Sequence, residues 1–203
     1  MKSLICCCAV IACSAGVSAE IIGVTGGMPA PAPTLGPYDM TPFPLDGRPT
    51  FTDVDFVPSP LGGELEFSVP LSHRRIGEGF ADWSHGYRGD VYLALGDEVT
   101  LALPPDTFAF YFYGNHDHGA SDYVTAEADD GTTIQQLIQG GGSGASYYGF
   151  YQDDPLGDPL RTIRVSITRD YFAVGEFGIA VPEPSSLLLL LAGAGISLRR
   201  TPR

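Results

Sequence analysis

Apolar and polar residues alternate with a period of two along most of this chain, the spacing of a strand with one oily face and one wet face. Val91, Leu93 and Leu95 alternate with Tyr92 and Ala94, and Val99, Leu101 and Leu103 alternate with Thr100 and Ala102. Gly96-Asp97 between the two runs predicts a two-residue hairpin turn. Thr107 to Tyr113 puts Phe108, Phe110 and Phe112 on one face and tyrosines on the other, which predicts a central strand. Tyr123 to Ala128 and Thr132 to Ile138 flank Asp129-Asp130-Gly131, where Asp-Gly predicts a hairpin. Ile163, Val165 and Ile167 alternate with Arg164, Ser166 and Thr168, as in an antiparallel strand with one wet face.

No stretch of helical period interrupts residues 51–180, and no long-period repeat is visible. The expected fold is all-β, a single antiparallel sandwich of jelly-roll type with about ten strands. Residues 35–180 are taken as the domain. Residues 20–34, which include Pro29, Pro31 and Pro33, are read as an extended Pro/Gly-rich linker.

The two ends break the pattern. Lys2, the apolar run Leu4 to Ala12 and the small residues Val17-Ser18-Ala19 form a secretory signal over residues 1–19, with signal peptidase expected to cut after Ala19. An alternative is a lipoprotein signal, in which Val10-Ile11-Ala12-Cys13 serves as a lipobox and Cys13 is retained. Cys6, Cys7, Cys8 and Cys13 are the four cysteines of the chain. Cleavage at Ala19 removes them all, and with them any disulfide or cysteine metal site.

At the other end, Val181-Pro182-Glu183-Pro184 precedes an apolar run over residues 185–198 and a basic tail, residues 199–203, with Arg199, Arg200 and Arg203. Those 14 apolar positions would span about 21 Å as a helix, against a hydrocarbon core of roughly 30 Å. Such a helix is short for a permanent anchor, and the arginines would hold its end in the cytoplasm. Prolines on both sides of Glu183 keep the junction extended, open to a protease. The alternative is a plain C-terminal tail anchor. Residues 181–203 closely resemble the PEP-CTERM sorting segment of bacterial exported proteins, also labelled an ice-binding protein C-terminal motif. That resemblance implies transient membrane insertion of the helix and cleavage near Pro182-Glu183-Pro184 by an exosortase.

Trp83-Ser84-His85-Gly86-Tyr87, Ala109-Phe110-Tyr111-Phe112-Tyr113, Asp130-Gly131-Thr132-Thr133, Tyr148-Gly149-Phe150-Tyr151 and the stretch from Phe172 to Ala180 are similar to a recurring group of PEP-CTERM proteins. The group occurs in bacteria that make elaborate envelopes or exopolysaccharide. The resemblance implies export and a β-sandwich, and assigns no activity.

All 24 acidic residues and 7 of the 11 basic ones fall between residues 20 and 184, which leaves that stretch 17 charges negative. Nucleic acid is a poor partner for such a surface, and none is expected. Acidity of this kind suits a soluble exported protein.

Candidate chemistry is sparse. His116, Asp117, His118 and Asp122 follow the aromatic strand; in an extended chain the two histidines would point the same way, as metal ligands or as a solvated turn. Asp153 and Asp154, before Pro155, offer the oxygen ligands of a structural calcium, with a plain acidic turn as the alternative. Trp83 and Tyr87 could form a sugar platform, or Trp83 could fill the core. Ser84 beside His85 is a poor nucleophile and base, because adjacent strand residues face opposite ways. Gly140 to Gly144 is no phosphate cradle, since no Lys-Ser/Thr pair or helix follows it. The expected function is non-enzymatic: an exported cell-surface or matrix protein, with a carbohydrate-binding module acting on exopolysaccharide as the alternative.

Overall fold

The computed structural model describes residues 20–116, 119–140, 142, 144–169 and 171–182. Its strands are β1 (Ile21–Thr25), β2 (Thr34–Leu35), β3 (Tyr38–Asp39), β4 (Thr41–Pro42), β5 (Asp53–Pro58), β6 (Glu64–Ile76), β7 (Gly79–Phe80) and β8 (Asp90–Ala94). After them come β9 (Glu98–Ala102), β10 (Ala109–His116), β11 (Asp122–Ala128), β12 (Thr133–Ile138), β13 (Ser146–Gln152), β14 (Thr162–Ile167) and β15 (Phe172–Ala180). The described residues contain no helix, and the all-β expectation holds.

The main sheet runs in the order β1-β13-β10-β15-β8-β6-β9-β14-β11-β12. It folds over at β6. Ser72 to Arg74 of that strand pair with β8, whereas Glu66 and Phe67 pair with β9. A strand that changes partners along its length turns the corner of a sandwich. One layer is therefore β1-β13-β10-β15-β8 and the other β9-β14-β11-β12. At the far edge the layers close again: Thr132 donates its hydroxyl to the Ile21 carbonyl at 3.0 Å, and the Ile21 amide donates to Asp130 at 3.2 Å.

The expected hairpin at Gly96-Asp97 does not form. β8 descends along β6 from Arg74 to Ser72, and β9 carries on in the same direction from Phe67 to Glu66. The chain from Asp90 to Ala102 is thus one bent strand facing a bent β6, and Gly96-Asp97 is the step between layers. The Asp129-Asp130-Gly131 hairpin does form, joining β11 to β12 with Glu127 opposite Thr133.

The stretch read as a linker also differs. Ile21–Thr25 pairs in register with Gln152 to Tyr148 of β13, so the sheet begins at Ile21 and only the residues after it form an irregular strap.

Phe110, Phe112, Tyr148, Phe150, Val174 and Ile179 point between the layers, where they meet Val99, Leu101, Val124, Ile163 and Val165 of the other layer. Phe112 and Tyr148 stack at 5.0 Å with their planes 9° apart. Fully burying each such ring contributes about 1.5–3 kcal/mol. The opposite face of the aromatic layer is buried too, by Tyr111, Tyr113, Tyr147, Leu93 and Trp83. Phe108 precedes β10 and joins this outer cluster beside Tyr38, not the inner phenylalanines. With both faces covered, β10 is buried along its whole length.

Candidate functional site

The outer face of the aromatic layer gathers most of the unusual chemistry. A β-bulge creates it. Tyr111 pairs with Gly178 and Tyr113 with Gly175, so Phe112 faces two residues of β15, Glu176 and Phe177. The extra residue resets the alternation. Val174 and Phe177 both enter the inner core, which turns Glu176 to the outer face, among the tyrosines.

Glu176 sits at φ 52°, in the left-handed region that non-glycine residues rarely occupy. Its carboxylate accepts a hydrogen bond from the Trp83 indole N–H at 3.0 Å and lies 3.0 Å from His85 Nε2. His85 is itself left-handed, at φ 40°. Only 9% of the Glu176 side chain and 15% of the His85 side chain are exposed. Burial pushes the Glu176 carboxyl up to about 7, opposed by the Trp83 hydrogen bond, and pushes the His85 imidazole down. Both groups are driven toward their neutral forms, as expected for charges taken out of water. The surrounding phenols of Tyr87, Tyr111 and Tyr113 are also raised by burial, with the Glu176 charge adding to the effect. A carboxyl that titrates near neutrality can take and release a proton in place.

Beside this cluster lies the strap after β1. Met28 to Pro33 is mostly solvent-exposed and makes no sheet ladder. Between the strap and the tyrosine face is a hollow of about 320 Å³, with Tyr113, Tyr147 and Tyr151 on the sheet side and Pro29, Pro31 and Ala32 on the strap side. The rings of Tyr113 and His85 lie 5.3 Å apart, so the hollow and the Glu176 cluster share a wall.

A second buried polar group clamps β6 to the loop before β5. Asp90 accepts from His73 Nε2 at 3.0 Å, from Arg75 Nε at 2.9 Å and from the Asp46 amide at 2.6 Å. Asp46 in turn holds Arg48 at 2.6 Å and accepts the Tyr92 hydroxyl at 3.1 Å. Desolvation acts against the Asp46 charge, but the Arg48 and Tyr92 hydrogen bonds outweigh it and hold the carboxyl down at about 2. Every partner here belongs to the fold, which gives the cluster a structural role.

The residues singled out in the sequence do not converge. Trp83 is 8% exposed, its ring edge-on to Phe80 at 5.8 Å, and Tyr87 is half-buried with its hydroxyl donating to the Asp90 carbonyl. Trp83 belongs to the outer buried cluster and Tyr87 packs against it. Ser84 is buried, and His85 turns to Glu176 instead.

His116 ends β10 buried, with Nε2 3.3 Å from the Ile138 carbonyl. Asp122 starts β11 and accepts the Tyr123 amide at 2.7 Å and the Thr168 hydroxyl. Asp153 and Asp154 follow β13 at the opposite end of the layer, accepting amides from Glu20 and Leu156 at 2.9 Å. The two acidic loops therefore cannot share an ion. Among the described residues no three His, Cys, Asp or Glu side chains are grouped as a metal site. Asp117 and His118 lie outside the described residues, as do Ala19, Glu183, Pro184, Arg199, Arg200 and Arg203, while Val181 and Pro182 follow β15 directly.

No protein-family model matches the chain, and no curated protein matches it. Among solved structures, TmCBM61 in complex with beta-1,4-galactotriose aligns over 54% of this chain and 82% of its own, at 12% identity and a TM-score of 0.32. A likeness that distant assigns no function.

Proposed function

We propose that this chain is an exported protein of the cell surface or extracellular matrix, sorted by an exosortase through residues 181–203 and acting by binding, without catalysis. The structural observation that carries the reading is the placement of the two ends of the fold. Ile21 lies opposite Gln152, and Ala180 lies opposite Ala109, which pairs with Tyr151. Both ends thus leave the same end of one layer. Glu20, the first residue expected after signal cleavage, is held there by Asp153.

A domain with both ends on one side can hang from a membrane by either while its other surfaces stay free. Val181 follows the last residue of β15, a strand with neighbours on both sides, so a tether there would be attached to the rigid part of the sheet. The acidic surface suits a binding or matrix role.

Deletion of residues 182–203 tests the sorting. In a host with an intact exosortase the truncated chain should leave the surface fraction for the medium. An unchanged distribution between cells, surface and medium would remove the support for sorting.

A further inference from the structure

Glu20, the residue that signal cleavage would make first, is clipped to the end of β13 by both of its backbone groups. Its nitrogen donates to Asp153 Oδ1 at 2.9 Å, and its carbonyl accepts the Asp153 amide at 3.1 Å. One residue on, the Ile21 amide donates to Asp130 at 3.2 Å, and Ile21 opens the ladder opposite Gln152. The clip sits where the sheet is weakest. β1 is the outermost strand of its layer, with β13 as its ladder neighbour, and the first residues of an edge strand fray most readily.

The charges around this nitrogen are one-sided. Asp129, Asp130 and Asp158 line a hollow beside Ile21, with Arg161 as the basic residue among them. Asp130 serves the Ile21 and Thr132 amides and Asp154 the Leu156 amide, whereas Asp153 holds the nitrogen of residue 20. Lys2 is the only lysine in the sequence. Cleavage after Ala19 removes it, so the chain that remains carries one primary amine, the α-amino group of Glu20. In the precursor the same nitrogen is a neutral amide with a single N–H. Cleavage turns it into an ammonium with three donors, and a charge-assisted bond to a carboxylate is about twice as strong as a neutral one.

We propose that Asp153 receives the N-terminal ammonium that signal cleavage creates, so that the cut which releases the chain also fastens β1 to β13. The ligand belongs to this chain, and it does not exist until the precursor is processed. The inference rests on the export reading for the cut after Ala19. An opposite charge at hydrogen-bond distance favours the protonated amine, which places its pKa above the ordinary α-amino range of about 7.7–8.0. Its contribution to stability is fully present below that range and is lost as pH rises through the raised value.

The chain from Glu20 to Arg203, freed from an N-terminal fusion so that it begins at Glu20, tests the pairing. Its rate of labelling by acetic anhydride as pH is raised, followed by the mass of the N-terminal peptide, titrates the amine, and no lysine competes. The midpoint should lie above about 8.5 and return to about 7.7–8.0 in Asp153→Asn, which keeps the acceptor oxygen and removes the charge. Acetylation makes the nitrogen an amide again, as in the precursor. It should speed hydrogen exchange over Ile21 to Thr25 about threefold, the size expected of an exposed ion pair, and should change nothing in Asp153→Asn. A midpoint in the ordinary range, a raised midpoint that Asp153→Asn leaves unchanged, or exchange that acetylation leaves unchanged overturns the proposal. Such a failure leaves the export reading standing, because that reading is decided by where the host cuts the chain; a native chain that begins at another residue would refute that cut while the measured pairing stood.

Discussion

Glu176 and His85 stand 91 residues apart in sequence, yet the carboxylate and the imidazole meet at 3.0 Å, each carried on a left-handed backbone. Two such conformations on partner residues cost of order 1–3 kcal/mol each and persist only where the surroundings hold them. Here the bulge in β15 holds one and the turn at Ser84 to Tyr87, closed by the Tyr87 amide on the Ser84 carbonyl at 3.0 Å, holds the other.

The pair makes stability depend on pH in a defined window. The Glu176 carboxyl is raised to about 7 from an ordinary 4.5, so the folded state binds its proton more tightly than the unfolded chain does. Its contribution is fully present below 4.5 and is lost as pH rises through 7. His85, lowered by burial, acts in the opposite sense as pH falls, so the difference between wild type and Glu176→Gln isolates the carboxyl. At pH 8 the variant should be more stable by about 2 kcal/mol, after discounting for solvent screening, and near pH 4.5 the gap should close. Urea midpoints across this range check it, and a gap constant with pH would refute it.

Asp90 is the keystone of the other polar cluster. Asp90→Ala leaves His73 and Arg75 without their shared carboxylate, and loss of one partner from a buried charged group costs about 3–5 kcal/mol. The same cluster predicts an acid limb. Asp46 is held at about 2 against an ordinary 3.8, so its contribution is present above 3.8 and lost as pH falls through 2. Asp46→Asn should abolish that part of the acid unfolding curve.

Gly178 faces the Tyr111 ring so closely that a Cβ would overlap the ring edge at Cε1 and Cζ. Gly178→Ala should therefore destabilise the fold by about 1–3 kcal/mol, the range for overpacking a tight site. Thermal unfolding measures the loss. Restoring room with Tyr111→Leu in the same chain should recover part of it.

The sequence displayed the parts of this fold that local chemistry controls. Phe110 and Phe112 alternate with Tyr111 and Tyr113 because β10 has two distinct faces, and Asp130-Gly131 turns a hairpin because its own backbone prefers to. Gly96-Asp97 carried the same signal and misled, since β6 wedges between the strands it joins, and nothing near residue 96 records that. Strand β1 was hidden by the prolines that follow it. The Glu176 site was missed because it depends on a bulge, yet a trace existed: one acid set between Gly175 and Gly178 in an otherwise apolar, aromatic strand. His85, followed by Gly86, marked the turn that meets it but not the partner.

The central claim, that the chain is exported and cut at both ends around this sandwich, is tested most directly by the intact mass of the protein recovered from its native host. The account predicts a chain that begins at Glu20 and ends close to Pro182. A mass that still includes Arg203 would contradict it.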